Sequence, residues 1–585
     1  MKLFCTKKEE GHSCLRMGCF GKTLIGLVIF ILICGWMGKS LGEAFATPET
    51  VLEDNTVYRI DLSGELVERA AENSPMDMIL SEVGKKELAT QIGLDDLLSN
   101  IALAKSDDKV LGIYLRGGDL SAAPASAKAL RDALIDFKKS GKFIVAYSES
   151  YGQTNYYIAS VADKIYLNAI GSVAWDGMSA QKMYFTNLMN KLGIEMQILK
   201  VGTFKSAVEP YFRTSMSAED RKQTEQYLTG IWDEIKSAVA QSRQLTTEQL
   251  DKYADEFMSV QPNNKYVDYG FVDSLVYVQD MDTVLRKFAN TNDYKIISHG
   301  KMTSVKRTKS EAKDKIAVIY AEGQIYDGGN EGISDTEMIK TINKIHKDEG
   351  VKAVVLRVNS PGGSANASEQ IWHAITTLQA KGLPVVVSMG DYAASGGYYI
   401  SCPANYIYAE PTTLTGSIGI FGTIPNLKKI REKVGIDVDV VSTNRHSNLT
   451  NNLTFQGMSE DESAIMQAMI ERGYDLFTSR CAEGRGISQD SIKAIGEGRV
   501  WLGKDAVKIG LVDELGNINS AIKKAAELAG LEAYQLSTYP EKKDQIQEIL
   551  EMLDTTTPEE KLLLQIREFA SKPRIMTLMP EVSIK

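Results

Sequence analysis

Two long stretches of this 585-residue chain repeat each other at a nearly constant spacing, and this repeat restricts the possible folds more than any single motif does. Leu115-Arg116 matches Leu356-Arg357 at an offset of 241 (356 − 115). Gly270-Phe271-Val272-Asp273 matches Gly510-Leu511-Val512-Asp513 at an offset of 240 (510 − 270). Offsets this steady over roughly two hundred residues predict two homologous domains in tandem.

Short aliphatic runs alternate with helical patterns in each copy, which is typical of an α/β fold with a largely parallel sheet. In the first copy, Thr56 to Leu66 predicts a strand that ends near Gly64. In the second copy, the pattern predicts strands at Val351 to Val358 and at Tyr406, with a helix from Gln370 to Ala380. A long amphipathic helix is predicted to follow the core of each copy, at Ala218 to Arg243 and at Ser459 to Arg485.

The repeat and the composition of the connecting segments together predict the domain boundaries. The segment 298–314 is polar and basic, as an exposed linker should be. We predict a tail and membrane anchor over 1–46, a first domain over 47–297, the linker over 298–314, a second domain over 315–535, and a C-terminal extension over 536–585.

An apolar run near the N-terminus, Thr23 to Gly38, contains no charged residue and predicts a transmembrane helix. Basic residues outnumber acidic ones before it, so the positive-inside rule places the N-terminus in the cytoplasm and the remainder outside. A cleavable signal peptide is the alternative, because Ala44-Phe45-Ala46 has the small-x-small pattern of a cleavage site. Both interpretations place most of the protein outside the cytoplasm.

The composition excludes several classes of function. A net charge of −10 without a dense basic block argues against nucleic-acid binding. Of the six cysteines, four lie in the N-terminal segment, which leaves too few for a disulfide framework. Cys5, Cys14 and His12 form at most a weak metal pattern, and spare thiols are the simpler interpretation. We therefore predict neither a metal nor a cofactor.

The segment Leu383 to Gly422 carries the main candidate for chemistry. It predicts a short buried strand that stops at a turn, Met389-Gly390-Asp391, and a helix that opens at Ala393 and ends before Pro403. Ser395 then lies at a strand-to-helix turn, which exposes a hydroxyl group to a substrate. The two glycines that follow it either serve close packing or let a substrate carbonyl reach backbone N–H groups.

The first copy serves as a control for the second. Position 395 − 242 = 153 is Gln153, so the first copy has neither the serine nor the glycines of Gly396-Gly397. If these glycines only packed a shared fold, both copies would keep them. The difference favours a catalytic site that is specific to the second copy.

A serine nucleophile needs a base to accept its proton. Among the five histidines, His446 is the one in a loop of the second copy that could reach the serine. A neutral lysine is the alternative, because burial among apolar groups lowers the pKa of an amine. Lys205, flanked by Phe204, Ala207 and Val208, has such a setting, although composition alone does not select it.

The chain contains five motifs, at Asn359 to Ala365, Asp391 to Ser401, Thr415 to Gly422, Gly498 to Gly516 and Gly202 to Pro210. The first of them, NSPGGSA, indicates by itself only the wider Clp/crotonase fold. Taken together, the five motifs resemble the signal peptide peptidase A (protease IV) family in its long, duplicated form. The resemblance implies an α/β fold of two tandem Clp/crotonase-like domains behind an N-terminal transmembrane helix.

The resemblance also implies the site and the activity. Ser395 would be the nucleophile and Lys205 the general base, one from each copy. The oxyanion hole would combine the Gly396 N–H with that of Gly362 or Gly363. The enzyme would be a serine endopeptidase of the bacterial inner membrane, a homotetramer bound to the lipid bilayer, that degrades cleaved signal peptides and other hydrophobic peptides on the periplasmic side.

Two other functions compete with this interpretation. An acyl-CoA enzyme of the Clp/crotonase fold would need a coenzyme pocket and has no use for an outward-facing anchor. A non-catalytic membrane scaffold is possible because the first copy, with Gln153, already lacks the serine. The long N-terminal tail and the extension from Glu541 to Lys585 depart from the family pattern, but neither contains a predicted site residue.

Overall fold

The computed structural model describes residues 50–70, 91–307, 310–329, 332–541, 575–578 and 583–584. The predicted anchor lies outside these ranges. Within them, no helix combines the length and the apolar character that crossing a membrane requires.

The first half of the described chain, up to position 307, alternates strands with helices. Its elements are β1 (Thr56–Val67), β2 (Gln91–Gly93), α1 (Leu94–Ser106), β3 (Val110–Ser121), α2 (Pro124–Lys138), β4 (Phe143–Ser148), α3 (Gln153–Ala159), β5 (Lys164–Leu167), β6 (Ala180–Gln181), α4 (Thr186–Leu192), β7 (Glu195–Val201), α5 (Ala218–Arg243), α6 (Thr247–Asp255), α7 (Asn263–Asp268), β8 (Ser274–Leu275), α8 (Met281–Ala289), β9 (Lys295–Ser298) and α9 (His299–Thr303).

The second half repeats this order and adds further strands. Its elements are β10 (Lys315–Glu322), β11 (Ile325–Tyr326), β12 (Ile333–Ser334), α10 (Asp335–Lys347), β13 (Val351–Ser360), β14 (Gly362–Ser364), α11 (Ala365–Ala380), β15 (Val385–Ala394), α12 (Gly396–Ser401), β16 (Tyr406–Ala409), β17 (Leu414–Gly416), β18 (Ile420–Asn426), α13 (Lys428–Lys433), α14 (Leu449–Phe455), α15 (Glu460–Arg485), α16 (Gln489–Ile495), β19 (Val500–Leu502), α17 (Gly503–Lys508), β20 (Glu514–Leu515), α18 (Ile518–Leu528), β21 (Gln535–Tyr539), β22 (Ile575–Leu578) and β23 (Ser583–Ile584).

Each half builds a mainly parallel sheet. The sheet of the first half has the strand order β2-β1-β3-β4-β5-β8, with β9 also paired to β1. The sheet of the second half has the order β19-β17-β15-β13-β10-β21, with β16 and β20 attached through β15. Its one antiparallel pair among the described strands is β17 with β19. The prediction of a parallel α/β fold in both copies is therefore confirmed.

The duplication extends to individual hydrogen bonds. The buried Tyr156 hydroxyl donates to the Phe271 carbonyl at 2.8 Å, and the buried Tyr398 hydroxyl donates to the Leu511 carbonyl at 2.9 Å. The offsets of these partners, 242 and 240, are those of the sequence repeat. The same tyrosine thus ties the same short helix to the same turn in both halves.

Several predicted boundaries are confirmed and others are wrong. The helix from Ala218 to Arg243 is confirmed at both ends, and the second long helix begins one residue late because Ser459 caps it. The helix predicted from Gln370 starts earlier, at Ala365. The segment predicted as an exposed linker contains α9, whose Met302 is buried.

The predicted turn at Met389-Gly390-Asp391 is wrong, because β15 continues through it to Ala394. The pairing of β13 with β15 shifts register between Val358 and Ser360, and this bulge absorbs the glycine without ending the strand. Beyond the bulge, β15 pairs in parallel with β17. The following helix accordingly begins at Gly396 and not at Ala393, and it ends before Pro403 as predicted.

The two halves are joined by a third sheet that takes strands from both. Its order is β12-β11-β14-β22-β18-β7, so β7 of the first half completes a sheet of the second half. Strand β7 pairs antiparallel with β18 from Val201 opposite Ile420 to Glu195 opposite Asn426. Leu199 of β7 is buried within the hydrophobic core of the second half. This arm fixes the position of the residues that follow β7.

Candidate active site

Ser395 lies where β15 passes into α12, and its backbone has an uncommon conformation. Its φ and ψ are 57° and −114°, a left-handed combination that a serine adopts only where the surroundings impose it. The Ser395 N–H donates to the Gly416 carbonyl at 2.8 Å, which fixes the turn against β17. Residues held in such conformations concentrate at functional sites.

The helix behind Ser395 is anchored by its buried tyrosines and by a close backbone approach. Tyr399 donates to Glu369 at 2.6 Å, and Tyr398 makes the hydrogen bond to Leu511 described above. A Cβ at Gly397 would lie 2.6 Å from the Ser360 carbonyl oxygen. Packing therefore accounts for Gly397, which the sequence alone left open.

The chain that follows β7 brings Lys205 across to the second half. The Phe204 N–H donates to the Glu497 carbonyl at 2.9 Å. Gly498 has a φ of +76°, and a Cβ there would lie 2.6 Å from the Cβ of Lys205. The segment around Gly498 therefore encloses the base of the lysine side chain, and a larger residue at that position would displace it.

The structure brings Ser395 and Lys205 together. The Lys205 Nζ lies 2.7 Å from the Ser395 Oγ, 3.0 Å from the Ser417 carbonyl and 3.1 Å from the Ser417 Oγ. All three residues are fully buried. These partners are neutral, and burial lowers the pKa of Lys205 well below its ordinary value of 10.5. A neutral amine next to a serine hydroxyl is an arrangement that allows proton transfer.

Ser417 is a site residue that the sequence interpretation missed. Its φ is 50°, and its hydroxyl also contacts the Gly498 carbonyl, at 3.2 Å. It lies in the quoted motif Thr415 to Gly422, but nothing in that motif indicates contact with a lysine about two hundred residues earlier. The available signal was a small hydroxyl residue directly after a glycine, which is too common to select it.

His446, the competing candidate for the base, lies elsewhere. Its Nε2 is 3.9 Å from Asp461 on the surface of the second half, whereas the group at the Ser395 hydroxyl is the Lys205 amine. Within the described residues, no cluster of three or more histidine, cysteine, aspartate or glutamate side chains could hold a metal ion.

The predicted oxyanion donors lie on two elements next to Ser395. Gly396 opens α12, where the first N–H groups of a helix have no partner within the helix. The Gly362 N–H donates to the Ser360 Oγ at 3.2 Å, and the φ of Gly362 is 105°. A Cβ at Gly363 would collide with the Ile325 carbonyl, so packing also requires that glycine.

A groove one strand wide lies between β14 and β18, and we call it the peptide groove. Strand β22, near the C-terminus, fills it and pairs antiparallel with both neighbours. Gly363 is opposite Thr577, and Phe421 is opposite Met576. This part of the sheet therefore accepts an extended peptide segment directly beside the predicted oxyanion glycines.

Comparison with known proteins shows the family of the chain. The sequence pattern of Peptidase family S49 matches residues 136–292 and 377–532, once in each half. The chain belongs to peptidase family S49. The resemblance drawn from the sequence motifs is thereby confirmed, as is the presence of two copies.

Relatives align along most of this S49 peptidase. Protease 4 from Haemophilus influenzae is 36% identical over 88% of this chain and 86% of its own length. Protease 4 from Salmonella typhi is 36% identical over 87% and 84%, respectively. The chloroplastic serine protease SPPA from Arabidopsis thaliana is 29% identical over 86% and 76%. The solved structure of a ClpP1 mutant from Listeria monocytogenes covers 35% of this chain and 94% of its own, at 15% identity and a TM-score of 0.24, which is too low to establish a shared fold.

We expect the Lys205→Met variant to be inactive and more stable than the wild type. Because the pKa of Lys205 is lowered in the folded state, protonation of this amine favours the unfolded state. Methionine removes this destabilisation. The gain should be largest at pH values below the lowered pKa and should shrink as the pH rises toward 10.5. Thermal unfolding between about pH 6 and pH 10 measures it.

The matched control is Lys200→Met, on the same β7 arm but only partly buried. It makes the same substitution on the same arm without changing the buried amine. If Lys205→Met is less stable than the wild type at every pH, the three hydrogen bonds of the amine outweigh its desolvation and the interpretation is wrong.

We expect Ser417→Ala to lower kcat about tenfold without changing KM, since one hydrogen bond to the lysine contributes about 1.4 kcal/mol. The hydroxyl contacts the Lys205 amine and the Gly498 carbonyl, so substrate binding should be preserved. Steady-state hydrolysis of a hydrophobic peptide measures both constants. The control is Ser368→Ala, which removes an equally buried hydroxyl that bonds to the Ser364 carbonyl at 2.7 Å. Equal losses in both variants would argue against a role for Ser417.

Proposed function

We propose that this protein is a membrane-anchored serine endopeptidase with a serine–lysine dyad that degrades cleaved signal peptides and other hydrophobic peptides. The observation that carries the proposal is the 2.7 Å contact between the Ser395 Oγ and the Nζ of the buried Lys205. A nucleophile and a base within hydrogen-bond distance, with burial lowering the pKa of the base, satisfy the requirements of covalent catalysis.

The chemistry follows from that contact. The neutral Lys205 amine accepts the proton of Ser395 as its oxygen attacks the substrate carbonyl carbon. The resulting ammonium donates this proton to the leaving amine when the peptide bond breaks, which leaves an acyl-serine ester. Lys205, neutral again, accepts a proton from water, whose hydroxide attacks the ester and releases the peptide acid while the proton returns to Ser395.

The tetrahedral intermediates of both steps carry a negative oxygen that backbone donors would stabilise. The Gly396 N–H, with the N–H of Gly362 or Gly363, is our proposal for these donors. Their position supports this proposal. Gly396 begins the helix behind the nucleophile, and Gly362 and Gly363 lie on β14, which borders the peptide groove. Removing one such donor typically costs about a hundredfold or more in kcat.

The peptide groove between β14 and β18 supports a peptide as the substrate. A substrate in extended form would pair with both strands through its main chain, as β22 does here, so that recognition would depend little on sequence. An acyl-CoA substrate offers no main chain for such pairing. A non-catalytic scaffold has no need of a desolvated lysine beside a strained serine.

The substrate class and the membrane attachment rest on other observations. A putative signal peptide peptidase SppA from Enterococcus faecium is 32% identical over 36% of this chain and 62% of its own length. The apolar run from Thr23 to Gly38 supports an anchor in the inner membrane with the catalytic halves on the periplasmic side. The homotetramer stays a prediction from the family resemblance.

We expect Ser395→Ala and Lys205→Ala each to abolish hydrolysis of a synthetic signal peptide by the full-length protein in detergent. Removal of either partner leaves no activated nucleophile, and losses in such sites typically exceed about a thousandfold. In the wild type, the rate should rise with pH through the lowered pKa of Lys205, because only the neutral amine accepts a proton. Product release followed by mass spectrometry from about pH 6 to pH 10 measures both effects.

His446→Ala is the control and should keep wild-type activity. Unchanged hydrolysis in the Ser395 and Lys205 variants would refute the dyad. Loss in the Ser395 and His446 variants, with activity retained in Lys205→Ala, would identify the histidine as the base. Absence of hydrolysis in the wild type would favour the scaffold.

We expect a variant that ends at position 574 to have a lower KM than the full chain and an unchanged kcat. Strand β22 occupies the peptide groove where we propose that substrate binds, so a substrate must displace it. The apparent dissociation constant of the substrate is then the intrinsic value divided by the fraction of molecules in which the groove is open. A decrease in KM of about two- to tenfold corresponds to that competition. A variant that ends at position 582 keeps β22 and is the matched control. A higher KM in the shorter variant would show that β22 helps to build the groove.

A further inference from the structure

Helix α2 of the first half receives its N-terminal cap from the second half. The preceding residue, Ala123, has no side chain that can accept a hydrogen bond, and Pro124 opens the helix. The N–H groups of Ala125 and Ser126 donate instead to the Asp391 Oδ1 at 2.8 and 3.0 Å. The Ser126 hydroxyl donates to the other carboxylate oxygen. A carboxylate at a helix N-terminus is favoured by both the free N–H groups and the helix dipole.

Comparison of the two copies shows that only the helix of the first half takes its N-terminal cap from the other half. The matching helix of the second half, α11, begins at Ala365 (365 − 241 = 124) and is capped by its own Ser364, which accepts from the Ala367 N–H at 3.2 Å. Position 364 − 241 = 123 is Ala123. The first half therefore lacks its own cap, and a residue of the other half replaces it.

Asp391 lies on β15, four residues before Ser395. It is buried, and the same stretch of β15 makes a second contact with the first half. Glu68 packs so closely that a Cβ at Gly390 would lie 2.6 Å from its carboxylate. The Glu68 carboxylate accepts two hydrogen bonds from Arg357, at 2.9 and 2.8 Å, and Arg357 also donates to the Met389 carbonyl at 2.9 Å.

We propose that Asp391 is a positioning residue for the reaction: by capping α2, it holds the strand that carries Ser395 against the half that carries Lys205. The inference rests on the proposed serine–lysine dyad. The nucleophile and the base belong to different halves, so their 2.7 Å separation depends on how the halves are docked. The Asp391 carboxylate is a hydrogen-bonded docking contact on β15, four residues before the nucleophile, and Ala394 next to the nucleophile shares a hydrophobic cluster with Tyr227 and Ile231 of the first half.

Loosening this contact has two consequences for the chemistry. The Ser395 Oγ and the Lys205 Nζ separate, and a displacement of about 1 Å in a catalytic site can cost about a hundredfold in rate. Water also reaches the amine, which now contacts only the neutral groups of Ser395 and Ser417 in the described chain, and hydration raises its pKa. A merely structural role for Asp391 would lower the amount of folded protein without moving that pKa.

The test measures the second-order rate constant of the full-length protein with a fluorophosphonate probe, from about pH 6 to pH 11. This reagent reacts covalently with an activated serine and needs no peptide groove. We expect Asp391→Ala to react about tenfold or more slowly, with the midpoint of its pH profile moved upward by about one unit. Asp391→Asn keeps an oxygen that accepts from the helix N–H groups and should recover most of both values.

Glu149→Ala is the matched control, because position 391 − 242 = 149 is the equivalent residue of the first half and is exposed. It should behave as the wild type does. If Asp391→Ala fails to fold, Ser126→Ala removes one of the three hydrogen bonds and should move the midpoint in the same direction.

The outcomes separate this inference from the proposed function. Equal labelling of the wild type and Ser395→Ala overturns the dyad, and the inference falls with it. Labelling that requires Ser395 but shows the wild-type midpoint in Asp391→Ala, or in Ser126→Ala where the first variant does not fold, overturns the inference alone. An upward shift that Asp391→Asn reverses supports it.

Discussion

The removal of the Lys205 amine from water is the constraint on which the rest of the structure depends. An amine in water is protonated at neutral pH and cannot accept a proton from a serine. Full burial among neutral hydrogen-bond partners lowers its pKa, as the proposed role of a base requires. Such burial is unfavourable for folding, so neighbouring elements must hold the lysine in place. The β7 arm, the Gly498 segment and the Ser417 turn contribute to this.

Two diverged copies of one domain supply this environment between them. Each half retains the buried tyrosine that ties its short helix to a distant turn, so the scaffold is common to both. The chemistry is not. In the first half, Gln153 stands where Ser395 stands in the second, and its side-chain amide bonds to Gly177. That half lacks the serine, and it provides Lys205 through β7 and a helix N-terminus for Asp391.

The errors of sequence interpretation have a common physical cause. A glycine followed by aspartate after a buried strand is a turn signal, yet Gly390 and Asp391 continue β15. The glycine is needed because Glu68 packs against it, and the aspartate because α2 requires a cap. Both partners belong to the other half of the chain. Local preferences describe a segment in water, and they fail where distant residues supply the contacts. The helical segment within the predicted linker, with Met302 buried, is a similar case.

The sequence by itself determined the duplication, the parallel α/β class, the family and the candidate nucleophile, because repeats, hydrophobic periodicity and motifs are local or periodic properties. It also offered Lys205, but through a resemblance and not through any property that distinguishes it from other lysines. Only the tertiary structure decided that Lys205 meets Ser395, that Ser417 is the third member of the contact, and that Asp391 links the halves. These are contacts between residues about two hundred or more positions apart, and burial and hydrogen bonding at such separations are settled by how the elements pack.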